Sequence, residues 1–317
     1  MKVNAVNKLI GRMVLGIALL SSYSAIAQQD PIFSQYMFNT LAINPGYAGS
    51  RDALNATIIH RSQWANIDGA PRTQTFTMHS PIKEANVGAG FSVINDRIGP
   101  VNQTGVYFDV AYKLQVTDVG FLSLGLKAGA NLFSASLGTL ATSDDSQSDI
   151  AFSQNITNEI LPNVGFGFYY STPKYYFGAS APKLLQNDIE LKDGGQTTRI
   201  SNENRHYFVI AGAVFDVNRD IKFKPTLLTR MVANSPISFD ITSNFIFYDR
   251  LTLGLLYRYD ASFGGIAQYL INDQLRIGYA YDYQTGDLGR VVGGAHEVML
   301  SYDFVFSRRN VRTPRYF

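Results

Sequence analysis

The chain has 317 residues, 46% hydrophobic and 13% aromatic but only 16% charged, thin charge for a surface that must meet water everywhere. Its formal net charge is +2, which drops to −1 when the three cations Lys2, Lys8 and Arg12 leave with an N-terminal leader, so no basic footprint for nucleic acid survives. The lack of cysteine excludes disulfides, thiolate metal sites, a cysteine nucleophile and a lipid-bearing N-terminal cysteine.

Residues 1–27 read as a signal peptide. Lys2, Lys8 and Arg12 form its positive start, Met13 to Leu20 its apolar centre, and Ala25-Ile26-Ala27 a small-x-small cleavage site near Ala27. That apolar run is well short of the roughly 20 residues a spanning helix needs. No later segment is long and apolar enough to span as a helix, so a membrane location requires a closed barrel of strands.

Residues 28–52 form an arm unlike a strand, with irregularly spaced Phe33, Tyr36, Met37, Phe38, Leu41 and Ile43 to bury and a turn signal at Asn44-Pro45-Gly46. Such a segment either plugs the barrel or lies beneath it as a periplasmic arm.

Residues 53–307 then read as an all-β, transmembrane antiparallel β-barrel of about 14 strands. The clearest pattern runs from Leu275 to Tyr283: Leu275, Ile277, Tyr279, Tyr281 and Tyr283 alternate with Arg276, Gly278, Ala280 and Asp282. Successive strand side chains point to opposite faces, so one face is wholly apolar and the other polar or small. Leu251, Leu253, Leu255, Tyr257 and Tyr259 repeat it, as do Val298, Leu300, Tyr302, Phe304 and Phe306. A soluble sandwich would turn these rows inward. A membrane barrel turns them out and lines its lumen with the charges.

Loop lengths favour the barrel. With the first strand rising from the periplasm, every even-numbered connection is short, while the long ones, 134–161, 182–204 and 284–295, fall on odd-numbered connections, the outer-membrane arrangement. Pro225 demotes the strand it lies in, because proline cannot donate to a ladder. Around Arg205 to Phe215, Phe208 and Ile210 occupy the face opposite Val209 and Ala211, which a plug against that wall would explain. Residues 308–317, with Arg308, Arg309, Arg312 and Arg315, read as a solvated basic periplasmic tail.

Catalytic and metal-binding patterns are sparse. His60, His79, His206 and His296 form no close metal-ligand spacing, and Asp144, Asp145 and Asp149 lack the glycine turn and distal glutamate of a calcium loop. Gly88-Ala89-Gly90 and Gly165-Phe166-Gly167 read as small residues that ease strand curvature. His60 and Ser62 share a strand face, an arrangement similar to the His-x-Ser of outer-membrane phospholipases, but no asparagine is identifiable to orient the imidazole. The lumenal charges carry both signs: Lys113, Lys127, Lys224, Arg230, Arg258 and Arg276 against Asp109, Asp240, Asp282, Glu297 and Asp303. A mixed interior closes itself with ion pairs, which suits a docking barrel better than a diffusion channel.

Three stretches resemble the PorP/SprF outer-membrane proteins of the type IX secretion and gliding apparatus of Bacteroidota: Gln28 to Met37, Asn44-Pro45-Gly46-Tyr47-Ala48-Gly49, and Arg61-Ser62-Gln63-Trp64 followed by Gly69 to Thr73. The family usually has alanine where Gly46 stands. The resemblance implies a non-enzymatic barrel without cofactor or metal. It would assist secretion or surface anchoring of an adhesin bearing a C-terminal targeting domain, or dock periplasmic secretion components, with outer-membrane lipid around it and no nucleic acid. Asn44, Pro45, Gly46, Tyr47, Gly49, Arg61 and Trp64 become the candidate contact or plug motif. The alternatives are a transporter of small apolar substrates, similar to fatty-acid-uptake barrels, and more remotely a phospholipase.

Overall fold

The alternating segments pair with their neighbours in chain order, as antiparallel strands joined by tight turns do. A computed structural model describes residues 31–82, 85–139, 155–193, 196–233, 235–285, 289 and 293–304. The leader, the basic tail and Asp144, Asp145 and Asp149 lie outside these residues.

The strands are β1 (Leu54–Gln63), β2 (Arg72–Ile82), β3 (Val87–Ile98), β4 (Val101–Gln115), β5 (Phe121–Ala135), β6 (Ile156–Ser171), β7 (Tyr175–Ala181), β8 (Asp188–Asp193), β9 (Gln196–Asn202), β10 (His206–Ala213), β11 (Phe215–Asp216), β12 (Ile221–Val232), β13 (Ser238–Phe247), β14 (Leu251–Arg258), β15 (Ser262–Leu270), β16 (Leu275–Gln284) and β17 (Ala295–Phe304). The sheet closes through β1 on β17 and β10 on β12, and the two-residue β11 extends β10. The result is a 14-stranded antiparallel barrel. Closure removes the exposed edges an open sheet would present.

The faces fall as the alternation requires. Leu251, Leu253, Leu255 and Tyr257 point outward, Leu255 being 72% exposed, while Thr252, Leu256 and Arg258 are buried inside. Phenylalanines meet across strands on the outer face, edge-on or tilted, as in Phe76–Phe91–Phe108 with centroids 6.4 and 5.1 Å apart. No helix among the described residues is long and apolar enough to cross a membrane.

Three local expectations need correction. Residues 182–204 are not simply a polar loop: β8 and β9 form a hairpin within them. β6 starts at Ile156, six residues before the Pro162 expected from sequence. Pro225 stands in a wall strand all the same, opposite Ser243 of β13 in an unbroken ladder. On its other side the ladder breaks after Gly212–Thr226 and resumes at Phe215–Phe223 in the same register, so the missing N–H falls in the interruption.

Candidate functional site

The lumen is filled by the arm. From Phe33 to Gly49 every residue is buried, and three short 3-10 turns, Tyr36–Phe38, Thr40–Ala42 and Pro45–Tyr47, coil it between the walls. Phe33, Tyr36, Met37, Leu41, Ile43 and Tyr47 join one apolar cluster with wall residues including Ile59, Phe208, Ile210, Leu228, Leu256 and Met299. Each such large side chain contributes about 1.5–3 kcal/mol when fully removed from water.

The last turn is set locally. Asn44 Oδ1 accepts from the Gly46 amide at 2.8 Å, and Pro45 occupies the first helical position, where no amide needs a partner. Asn44 Nδ2 donates to the Phe168 carbonyl of β6 at 2.9 Å, so one side chain closes the turn and ties it to the wall. Wall glycines then let the backbones meet. A Cβ on Gly88 would overlap the Ala48 carbonyl, and one on Gly125 would overlap Pro45 and the Gly46 amide. Gly49, with φ of +68°, turns the chain away and donates its amide to His79 Nδ1 at 3.2 Å.

At the other end of the arm a charged clamp forms. Glu297 of β17 accepts the consecutive amides of Ser34 and Gln35, both at 2.9 Å. Arg61 of β1 reaches Ser34 Oγ at 2.6 Å, Glu297 at 3.1 Å and Asp282 of β16 at 2.9 Å. Ser34 Oγ donates to the same Asp282. Arg258 of β14 chelates Asp240 of β13 with Nε and Nη2 at 2.9–3.0 Å and stands 3.7 Å from Asp282. Two guanidiniums thus face three carboxylates, and the amide and hydroxyl donors of the arm supply the remaining positive character. Buried carboxylates need that many donors, because each has lost its water. Beside the clamp, the Tyr36 hydroxyl bonds Thr226 Oγ1 at 2.8 Å.

The two mouths differ. Toward the short turns, a cavity of about 250 Å³ is lined by Phe38, Lys224, Arg250, Arg276, Asp249 and Asp273. Lys224 Nζ and the Arg276 guanidinium lie 4.9 and 5.9 Å from the Phe38 ring centre, within cation–π reach. Toward the long loops, Pro31, Phe33, Tyr107 and Asn131 border a smaller cavity of about 50 Å³. There Glu203 accepts amide hydrogens from Gln103, Asn131, Asn163 and Asn187, pinning the 182–205 connection to β4, β5 and β6. Lys127 of β5 pairs with Asp109 of β4 at 3.0 Å.

The model of the family described as "Type IX secretion system membrane protein PorP/SprF" matches residues 25–302. The chain belongs to the PorP/SprF family. No curated protein matches the chain. Solved structures similar to it include the outer membrane protein Omp33 of Acinetobacter baumannii, at 9% identity with 80% of this chain and 99% of that one covered and a TM-score of 0.46. Another is the toluene transporter TodX of P. putida, at 9% identity, with 85% and 95% covered and a TM-score of 0.46.

Within this PorP/SprF barrel, Asn44, Pro45, Gly46, Tyr47, Gly49 and Arg61 all lie in the lumen, at the turn, its wall seats and the clamp. The Tyr47 ring stands edge-on to Tyr169 and His79, at 5.2 and 5.1 Å. Trp64 is not with them: it is half-buried just past β1, with φ of 54°, and its carbonyl accepts the Ile67 amide at 3.0 Å. Of the expected lumenal charges, Lys127 pairs with Asp109 and Arg258 with Asp240 across strands, and Arg51, which carried no expectation, meets Asp303 at 3.2 Å. Phe208 and Ile210 point inward onto the arm. The glycines read as easing curvature have a second use, since Gly88 and Gly167 lie against arm atoms. Ser34, Gln35, Glu203 and Ser180, whose Oγ donates to the Ile43 carbonyl of the arm at 2.7 Å, escaped sequence reasoning: single polar residues give no periodic signal. His60 is exposed on the outer face, and Gln74 and Val298 are its strand neighbours, neither an asparagine.

Proposed function

We propose that this chain is a non-enzymatic, plugged outer-membrane barrel of the type IX secretion system that assists secretion or surface anchoring of a partner adhesin and docks periplasmic machinery. The reading is carried by the lumen: residues 33–49 occupy it, clamped by Arg61, Glu297 and Asp282, and membership of the family supplies the secretion context. The apolar outer rows would meet acyl chains, the short turns the periplasm and the long loops the exterior. The two cavities described at the mouths, about 50 and 250 Å³, fall below the roughly 300–1,000 Å³ of sites that hold small molecules, which disfavours uptake of an apolar substrate there in this closed form.

Removing the chain from its host should abolish surface display of an adhesin carrying the C-terminal targeting domain. Affinity capture from native outer membranes should recover that adhesin together with type IX components. Unchanged display and capture of neither would sink the proposal. Lipase activity lost on Ser62→Ala would instead favour the enzyme.

A further inference from the structure

We propose that the arm runs through the barrel from mouth to mouth, its N-terminal end being held at the long-loop mouth, opposite the end from which β1 rises. The order of contacts along the arm shows the route. Pro31 and Phe33 line the small cavity beside Gln103, Asn131 and Pro182, all near strand ends that lead into or out of odd-numbered connections. Ser34 and Gln35 follow, on Glu297, the third residue of β17 after a long loop. Phe38 then reaches the opposite cavity, beside Asp249 and Asp273 of the short turns. Ala42 and Ile43 double back to line the small cavity from within. After the Asn44 turn, Ala48 lies on Gly88, the second residue of β3, and Arg51 pairs with Asp303 near the end of β17, both at the short-turn mouth. The chain continues there into β1.

One carboxylate, on Glu297, holds two successive amides of the arm and so fixes Ser34 and Gln35 at the height of the start of β17. Pro31 and Ile32 remain half-exposed at the mouth, forming an apolar lip with Phe33 beneath. With the long loops facing the exterior, a sidedness that rests on the function proposed above, this lip opens to the outside of the cell.

The cysteine-free chain makes the test direct. Three full-length single-cysteine variants are compared in intact and in permeabilised cells with a membrane-impermeant maleimide. They are Ile32→Cys, Asp68→Cys in the exposed loop after β1, and Asp118→Cys in the exposed turn after β4. Pro31→Cys serves where Ile32→Cys does not give a folded, heat-modifiable barrel. The expected result is that Ile32→Cys labels in intact cells to the level of Asp68→Cys, while Asp118→Cys labels only after permeabilisation. If Ile32→Cys follows Asp118→Cys, or labels in neither condition while both controls behave, the route is overturned. If Asp68→Cys is the shielded control and Asp118→Cys the open one, the sidedness fails. Grouping of Ile32→Cys with Asp68→Cys then still supports the route.

Discussion

Replacing Arg61 by alanine would leave Glu297 and Asp282, both fully buried, without their shared guanidinium. Breaking a buried pair on one side costs about 3–5 kcal/mol. We therefore expect Arg61→Ala to lower the denaturant midpoint of the barrel markedly, and Arg61→Lys to recover only part of it, because an ammonium cannot reach Ser34, Glu297 and Asp282 in one plane. The single tryptophan, Trp64, sits at the end of the same strand and reports the transition by fluorescence. Asn44→Ala removes a turn cap and a wall bond together and should cost about 1–2 kcal/mol in the same measurement. Gly88→Ala tests close approach: its methyl would overlap the Ala48 carbonyl, so the arm must shift and limited proteolysis within residues 44–52 should rise. Asp282, Glu297 and Asp240 were legible as lumenal from their place in the alternation. Which of them grip the arm was not, because that depends on two backbone amides that no side-chain pattern reveals.

Among its described residues the arm has three short 3-10 turns but no α-helix or strand of its own. Its stability comes from apolar side chains on an apolar stripe of wall, not from a ladder. That stripe was partly legible. Phe208 and Ile210 break the polar face of β10, and Ile59, Leu228, Ile246, Leu256, Ile266 and Met299 break it on other strands. These interruptions, such as Leu256 directly after Leu255, are the signal that places a plug inside rather than beneath, and clean alternation elsewhere hides it. Deleting residues 31–50 behind an intact leader should open the lumen: in planar bilayers the full chain should stay silent and the deletion should conduct. Conduction by the full chain at the same level would show that the arm does not seal.

For the molecule as a whole, alternation and loop length sufficed for strand number, faces and sheet order, since period-two patterning and antiparallel neighbours are local properties. The β8–β9 hairpin was not legible, because its one alternating apolar pair, Ile189 and Leu191, is too short a row to stand out from a polar loop. That connection is gathered by Glu203 onto four amide side chains. Glu203→Ala should release it, seen as faster protease cleavage within residues 182–205 with the barrel midpoint little changed. A matching fall in midpoint would mean instead that the loop is part of the barrel's stability.

The seam between β1 and β17 joins residues more than two hundred positions apart, and its register carries both Arg61 opposite Glu297 and the strand that follows Arg51. The hand that grips the arm is therefore completed only when the final strand arrives. Until then the arm lies in an open trough, free to be laid down from the side. Afterwards it could reach its place only by being drawn lengthwise through a closed tube. Biogenesis of this protein should accordingly depend on timing: a chain whose last strand docks before the arm is seated would make a cylinder that is sound, empty and leaky.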